Sequence, residues 1–410
     1  MKPVVLLLSI YPFAEPRHGG QVRVSNIANV FRAAGWQVES IAVYKSEGYE
    51  ARSVFKNDLP FPVNSHYRLF RGCNEPYAYD LQAGEYAVAE DGGFLAILAR
   101  LPQRIDAIHV EQPGLWPLAA KIKTMRKYEY VVLIYGSQNI EAPLRREIFP
   151  SYSARHDVDD VINAVDALER RAASEADLTL AVTEADLNIL AGYGAKELLL
   201  APNGIAPWTA SPATLELWRA RLPEVPWILY VASAHPPNFT GFTACIGDSL
   251  GCISPESRLV VAGGVCKPLC RSLAATRWHS LNLSRLELLY ILSDEDLAAV
   301  KTLAHAFLLP IQHGGGSNIK TAEALYSGAY VIGSEVAFRG FEDVASLPEV
   351  MVARSPKEFQ IAIRDVLQRP PHVHVEPVQG DCRYRLRWDQ CLASIPETVA
   401  RVMAKRVEHA

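Results

Sequence analysis

The sequence of 410 residues has no basic excess and no hydrophobic run long enough to cross a membrane. Lysine and arginine number 41 against 45 aspartates and glutamates, for a formal charge of -4. Nucleic-acid-binding proteins usually carry a clear basic excess, and a membrane-spanning helix needs about 20 apolar residues. We therefore expect a cytoplasmic protein that does not bind nucleic acid, and leave open a peripheral contact with the inner face of the membrane.

Cysteines are few and unpatterned. The seven cysteines are an odd number scattered along a long chain, which favours reduced thiols over a disulfide framework. Cys266 and Cys270 are four residues apart, but no second Cys or His pair follows at the spacing of zinc ligands. We predict thiols packed on a helix, no metal and no cofactor.

Two nucleotide-binding fingerprints are also missing. No strand is followed by the G-x-G-x-x-G pattern of dinucleotide-binding domains, which argues against a dehydrogenase. No glycine-rich loop continues into the Gly-Lys-Ser/Thr of a P-loop. The sequence therefore predicts neither a dinucleotide-binding dehydrogenase nor a P-loop nucleotide-binding protein.

Strands and helices alternate along the chain. Met1-Lys2 and the apolar run 4–10 look like the start of a signal peptide, but charged residues follow without a cleavage site, so the run is interpreted as a buried strand. A helical pattern that ends at Gly35 and a second strand, 36–44, complete a βαβ unit. Turn signals cluster near Pro202-Asn203-Gly204, and the pattern restarts at Trp227.

These patterns predict two doubly wound, Rossmann-like α/β domains in tandem. Their expected bounds are 1–205 and 206–384. In the tail, Trp388, Cys391, Leu392 and Ile395 are spaced as one apolar helical face. We expect this helix, within 385–410, to return to the first domain.

The glycine-rich stretch from Gly314 to Leu325 is the most informative one. Its three glycines at a strand-to-helix turn allow close approach of a ligand, and Ser317 is a candidate N-cap. The free amides of such a helix start attract phosphate. Lys320 and Glu323 share one helical face, where an ammonium suits phosphate and a carboxylate suits a ribose diol. The alternative is an ordinary helical pair beside a turn.

Together with further motifs, this stretch resembles the GT-B-fold glycosyltransferases of family 4. The resemblance extends over nearly the whole chain. The other motifs are Gly19-Gly20, His109-Val110-Glu111, Ser137-Gln138-Asn139-Ile140-Glu141, Val182-Thr183-Glu184-Ala185-Asp186, Pro202-Asn203-Gly204, Ala234-His235-Pro236-Pro237-Asn238, Leu292-Ser293-Asp294 and Ala337-Phe338-Arg339-Gly340-Phe341-Glu342.

The resemblance implies a retaining, metal-independent transfer of a sugar from a nucleotide-diphosphate donor to a glycan, glycolipid or other acceptor, by a monomer or homodimer. His109, Lys320 and Glu323 would be catalytic. The two doubly wound domains would face each other across a cleft, in which the second domain would bind the donor and the first domain the acceptor. The remaining donor residues would be Ser233, His313, Gly314, Gly315, Gly316, Ser317, Asn318 and Arg339; the acceptor side would comprise Gly19, Gly20, Glu111, Asn139 and Glu141.

The sequence departs from the family pattern in two places. Of two glutamates that the family often carries seven residues apart, the second matches Glu323 and the first falls on Gly315, so His313 is the candidate sugar contact. The Arg and Lys that often follow the first strand of the second domain are absent, and Ser233, His235 and Asn238 stand in that region.

Several alternatives stay open. His109 is equally consistent with a structural role, Glu111 with a solvated loop end, and Gly19-Gly20 with a tight turn. Asn139 and Glu141 are alternatively helix caps. Five arginines form a candidate basic surface: Arg17, Arg23, Arg32, Arg145 and Arg146. The competing functions are a nucleotide-sugar epimerase and a non-catalytic nucleotide-sugar-binding protein.

Overall fold

A computed structural model describes residues 2–72, 76–149, 158–371 and 376–408. The chain divides into two compact units: unit 1 is Met1–Pro202 with Cys391–Ala410, and unit 2 is Asn203–Gln390. Within the described residues no helix is long and apolar enough to span a bilayer.

Unit 1 is built around one parallel sheet with the strand order β3-β2-β1-β4-β5-β6-β7. Its strands are β1 Val4–Ser9, β2 Gln37–Lys45, β3 Leu59–Phe61, β4 Ala107–Glu111, β5 Val132–Gly136, β6 Leu178–Ala181 and β7 Leu198–Leu200. Its helices are α1 Gly19–Ala33, α2 Tyr79–Val88, α3 Phe94–Leu98, α4 Trp116–Lys123, α5 Glu141–Ile148, α6 Val158–Glu175 and α7 Glu184–Gly192. Every residue of β1, β4 and β5 is buried, as strands covered by helices on both faces require.

Unit 2 repeats the design with a parallel sheet in the order β10-β9-β8-β11-β12-β13. Its strands are β8 Trp227–Val231, β9 Arg258–Ala262, β10 Leu286–Tyr290, β11 Ala306–Leu309, β12 Tyr330–Gly333 and β13 Val350–Val352. Its helices are α8 Pro212–Arg221, α9 Pro236–Ile246, α10 Cys266–Ala274, α11 His279–Ser284, α12 Asp294–Leu303, α13 Ile319–Tyr326 and α14 Pro356–Gln368.

Alternating side chains of each central strand serve two cores. In β8, Ile228 and Tyr230 pack into the core that contains Phe242, whereas Trp227 and Leu229 pack into the core that contains Tyr326. The same two-sided packing makes both sheets doubly wound. The predicted fold class of two Rossmann-like α/β domains is confirmed.

The tail forms two helices where the sequence predicts one. Helix α15, Trp388–Cys391, ends before α16, Ile395–Glu408, begins. Trp388 belongs to unit 2, where its N–H donates to the Ile205 carbonyl at 3.0 Å. Helix α16 belongs to unit 1, and Arg406 donates there to the Val131 carbonyl at 3.0 Å and to Asp177 at 2.5 Å. The predicted return of the C-terminal helix is confirmed, but the single apolar face is wrong.

Candidate functional site

The loop before α13 has a conformation that requires glycine. It follows β11 at the carboxyl edge of the sheet, next to the place where strand order reverses at β8, and such switch points hold ligands in doubly wound sheets. Gly314 and Gly316 have φ angles of 134° and 58°, a region that side chains disfavour. Arg339 braces the loop: its Nε donates to the Gly316 carbonyl at 2.8 Å, and an amino group donates to the Gly314 carbonyl.

The start of α13 differs from the prediction by one residue. Asn318 is the N-cap residue and its side chain makes no capping hydrogen bond, so the predicted N-cap role of Ser317 is wrong. The Ser317 hydroxyl instead accepts from the Asn203 N–H at 3.2 Å, and the Asn203 side chain donates to the Ser317 carbonyl at 2.8 Å. Since the Asn318 side chain does not cap the helix, the backbone amides of the first turn of α13 suit an anion.

Lys320 is held by a residue that the sequence did not assign to the site. Its Nζ donates to Oδ1 of Asn238 at 2.7 Å. The Asn238 Nδ2 donates to the backbone and side-chain oxygens of Ser233, both at 3.1 Å. Burial lowers the pKa of Lys320 to about 8, while the charge of Glu323 opposes that shift.

Glu323 forms an ion pair with a lysine of another helix. Its Oε1 accepts from Nζ of Lys301 in α12 at 3.0 Å, and that ammonium lies 4.3 Å from the ring centre of Trp208. The Lys301 side chain is 8% exposed, whereas that of Glu323 is 30% exposed. One carboxylate oxygen is therefore fixed by protein while the group still reaches solvent. Nothing in the sequence pattern pointed to Lys301 or Trp208.

Among the remaining predicted donor residues, Ser233 joins this cluster through its hydrogen bonds with Asn238. His313 and Ser233 are exposed, and Gly315 is half-buried. Burial and the charge of Lys320 both lower the pKa of His235, which precedes α9. Lys301 bonds the Glu323 carboxylate, Lys320 lies three residues earlier on the same helix, and Arg339 bonds the loop that leads into the helix start. These groups suit an anionic ligand with neighbouring hydroxyls.

A second polar cluster lies in unit 1 at the carboxyl ends of β1, β4 and β5. His109 and Glu111 alternate on β4, so both side chains emerge on one face of the sheet, and both are fully buried. Their Nε2 and Oε2 atoms are 2.6 Å apart. Arg23 of α1 donates to Oε1 of Glu111 at 3.0 Å. Burial raises the pKa of Glu111, but His109, Arg23 and Gln138 outweigh it, and the net shift is downward.

Gln138 connects this cluster to Tyr11. Its amide donates to Oε1 of Glu111 at 2.9 Å and to the Tyr11 hydroxyl at 2.7 Å. Two glycines make room: a Cβ on Gly20 would lie 2.5 Å from the Tyr11 hydroxyl, and one on Gly136 would lie 2.3 Å from Oε2 of Glu111. Gly19 and Gly20 open α1, so the tight-turn alternative is wrong, and burial rules out the solvated alternative for Glu111.

Glu141 lies in an acidic neighbourhood. It is 5% exposed and accepts from Arg145 at 3.1 Å, while Arg145 also bonds Asp80. Glu169 of α6 is fully buried and accepts the Glu141 N–H at 2.9 Å. Burial raises the pKa of Glu169 to about 8, and the Glu141 charge adds to it. The N-cap residue of α5 is Ile140, so the capping alternative for Asn139 and Glu141 is wrong.

Two other expectations have structural outcomes. The basic surface is not formed as proposed, because Arg23 is 1% exposed and Arg145 is tied to two carboxylates. Cys266 and Cys270 are free thiols on α10, as predicted. No cluster of three or more His, Cys, Asp or Glu side chains that could hold a metal occurs in the part of the chain that the structure describes.

The chain is similar over its full length to solved glycosyltransferases. Sucrose-phosphate synthase from Thermosynechococcus elongatus is 13% identical with a TM-score of 0.66, covering 98% of this chain and 100% of that chain. The α,α-trehalose 6-phosphate synthase of Burkholderia multivorans is 13% identical with a TM-score of 0.65, covering 100% and 98%. Anabaena HepE in complex with UDP is 13% identical with a TM-score of 0.60, covering 100% and 99%.

These likenesses establish the fold. No protein-family model and no curated protein matches the sequence. The chain has the GT-B fold of nucleotide-sugar glycosyltransferases, which confirms that part of the resemblance. Membership of family 4 and the role of each site residue stay predictions.

Proposed function

We propose that this protein is a glycosyltransferase that moves a sugar from a nucleoside diphosphate donor to an acceptor hydroxyl. The transfer proceeds with retention of configuration, without a metal ion, in the cytoplasm. The acceptor is a glycan, glycolipid or other glycoconjugate precursor. The GT-B fold supports the reaction class, and the cluster at the start of α13 supports the donor.

The proposal rests on the placement of Lys320 and Glu323, three residues apart at the start of α13, where the N-cap residue makes no capping hydrogen bond. The ammonium and the first-turn amides suit a diphosphate, and the carboxylate one turn further suits the adjacent hydroxyls of a ribose. Arg339 stabilises the conformation of the glycine loop that precedes α13 through its hydrogen bond to the Gly316 carbonyl. UDP is bound by HepE and ADP by a starch synthase of the same fold, and both nucleotides are candidate donor moieties here.

In the proposed reaction the bond between the sugar and the diphosphate breaks, and a bond to the acceptor oxygen forms on the same face. The acceptor proton passes to the departing phosphate oxygen. Negative charge grows on that phosphate in the transition state, and Lys320 with the amides of α13 stabilises it. Unit 1 supplies the acceptor side through residues near Gly20, Glu111 and Glu141.

The test is calorimetric titration of the full chain with UDP, ADP and inorganic pyrophosphate. Lys320→Ala should weaken all bound ligands by about 10- to 100-fold, the worth of a hydrogen bond to a charged group. Glu323→Gln should weaken the nucleotides much more than pyrophosphate, since its carboxylate serves the ribose and affects the phosphates only through the pKa of Lys320. Lys357→Ala, an exposed lysine on α14, is the matched control.

Two outcomes would contradict the proposal. If the wild-type chain binds no nucleotide, the assignment of a donor site is wrong. Equal binding by wild type and Lys320→Ala would remove the phosphate role of this lysine.

A non-catalytic nucleotide-sugar-binding protein is the second candidate. It is favoured by His109, whose side chain is fully buried and engaged at Nε2 by Glu111. A coupled assay separates the two functions. It measures the release of UDP from UDP-sugars, or of ADP from ADP-sugars, with and without saccharide acceptors. Binding without any sugar release would favour the binder.

A further inference from the structure

We propose that Asn238 is a positioning residue that aims the Lys320 ammonium at the donor diphosphate. The inference rests on the proposed donor site and adds a residue to it. Asn238 lies on α9, and its side chain joins the loop after β8 to the first turn of α13. It acts on the ligand through Lys320, not by contact.

The orientation of the Asn238 carboxamide is fixed by its partners. Nδ2 donates to both oxygens of Ser233, so Oδ1 is the atom that faces Lys320. A lysine side chain has four rotatable bonds, and a single strong acceptor at 2.7 Å restricts where its ammonium lies. Holding it before the ligand arrives reduces the ordering cost of binding.

A neutral partner suits this task. An ammonium has three N–H donors; Asn238 takes one and two remain for phosphate oxygens. A carboxylate in its place would hold the ammonium as firmly but would cancel its charge and repel the phosphate. The positions after β8 carry no Arg or Lys, so the orientation of Lys320 matters more.

The charged groups around Lys320 come from four elements. Glu323 lies on the same helix and is paired with Lys301 of α12. His235 precedes α9, and the charge of Lys320 contributes to the lowering of its pKa. Arg339, after β12, is bonded to the glycine loop. Burial already lowers the pKa of Lys320 to about 8, so loss of its acceptor shifts it further down and a carboxylate shifts it up.

The first experiment needs no ligand. Competitive acylation of lysines as a function of pH, read by mass spectrometry, gives the pKa of Lys320 in the full chain. We expect Asn238→Ala to lower that pKa and Asn238→Asp, which keeps the size of the side chain, to raise it. Thr240→Ala is the matched control: this exposed residue of α9 bonds only backbone carbonyls of its own helix among the contacts found. An unchanged pKa in both Asn238 variants overturns the proposal.

The second experiment measures the binding of UDP or ADP above pH 7.5, where the terminal phosphate, with a second pKa of about 6, is ionised throughout. Asn238→Ala should bind about tenfold more weakly than wild type at pH 8.5, and its loss of affinity with rising pH should begin earlier. Asn238→Asp should bind weakly but lose affinity later. Identical pH profiles would overturn the positioning role. Lack of nucleotide binding by wild type would instead defeat the proposed function, while the acylation result would still decide on Asn238.

Discussion

Replacing Glu169 by glutamine should remove a loss of stability that the protein suffers as the pH rises. Three carboxyl groups are buried together here: Asp80 and Glu141 pair with the Arg145 guanidinium, whereas Glu169 accepts the Glu141 N–H. Glu169 has no ion-pair distance to that guanidinium among the described contacts, and its pKa is raised to about 8 by burial and by the Glu141 charge. At neutral pH it is therefore protonated in the folded protein.

The size of the effect follows from proton linkage. An unfolded glutamate has a pKa of about 4.3, so between that pH and about 8 the folded state holds a proton that the unfolded state has released. The free energy of unfolding then falls by about 1.4 kcal/mol per pH unit, or about 2.5 kcal/mol from pH 6 to pH 8. The stability contributed by this proton is greatest at low pH and is lost as the pH approaches the folded pKa.

Glutamine reproduces the neutral acid. Its oxygen would accept the Glu141 N–H as Glu169 does. The Tyr135 hydroxyl donates to Oε1 of Glu169 at 2.8 Å; in the variant the amide at this place would donate to the Tyr135 oxygen instead. Urea unfolding of wild type and Glu169→Gln at pH 6, 7 and 8 measures the difference, in which other titrating groups cancel. The variant should gain about 2.5 kcal/mol relative to wild type over this range. Asp166→Asn, on the same helix in a partly exposed ion pair with Arg170, should show no such trend. A difference independent of pH would refute the reasoning.

Two further substitutions test the packing of each cluster. Gly136→Ala places a Cβ 2.3 Å from Oε2 of Glu111, and we expect urea unfolding to show a stability about 1–3 kcal/mol lower than that of wild type. Gly192→Ala, with open space at its Cβ, should not destabilise the protein. Equal stability of the Gly136 variant and wild type would contradict the close contact. Lys301→Met removes the donor to Glu323 and should weaken UDP or ADP binding about tenfold in calorimetry while pyrophosphate binding persists; unchanged nucleotide affinity would contradict its role.

Local sequence patterns identify the parts of the fold that depend on local physics. The apolar strands β1, β4 and β5 and the glycine turn before α13 are recognisable because burial and backbone conformation restrict which residues fit there. The short strands β3, β7, β10 and β13 were not identified. Three to five residues carry too little periodicity, and residues of β7, β10 and β13 are only partly buried.

Local patterns alone relate residues of the candidate site only where these are close in sequence. Lys320 and Glu323 share a helical face three residues apart, and that relation can be read directly. Their partners cannot: Asn238 is 82 residues from Lys320, and Lys301 is 22 residues from Glu323. In unit 1, Arg23 and Glu111 are 88 residues apart. Such pairs depend on sheet order and strand register, which no local pattern specifies.

Unit 1 is assembled from two stretches of chain separated by the whole of unit 2. Its helix α16 supplies Arg406, which bonds the Val131 carbonyl and Asp177 near the amino ends of two strands. During synthesis those strands emerge more than two hundred residues before their arginine partner. Of the two units, unit 1 is thus synthesised first but completed last. Truncation of the tail should therefore destabilise unit 1, although most of unit 1 lies far upstream of the tail in the sequence.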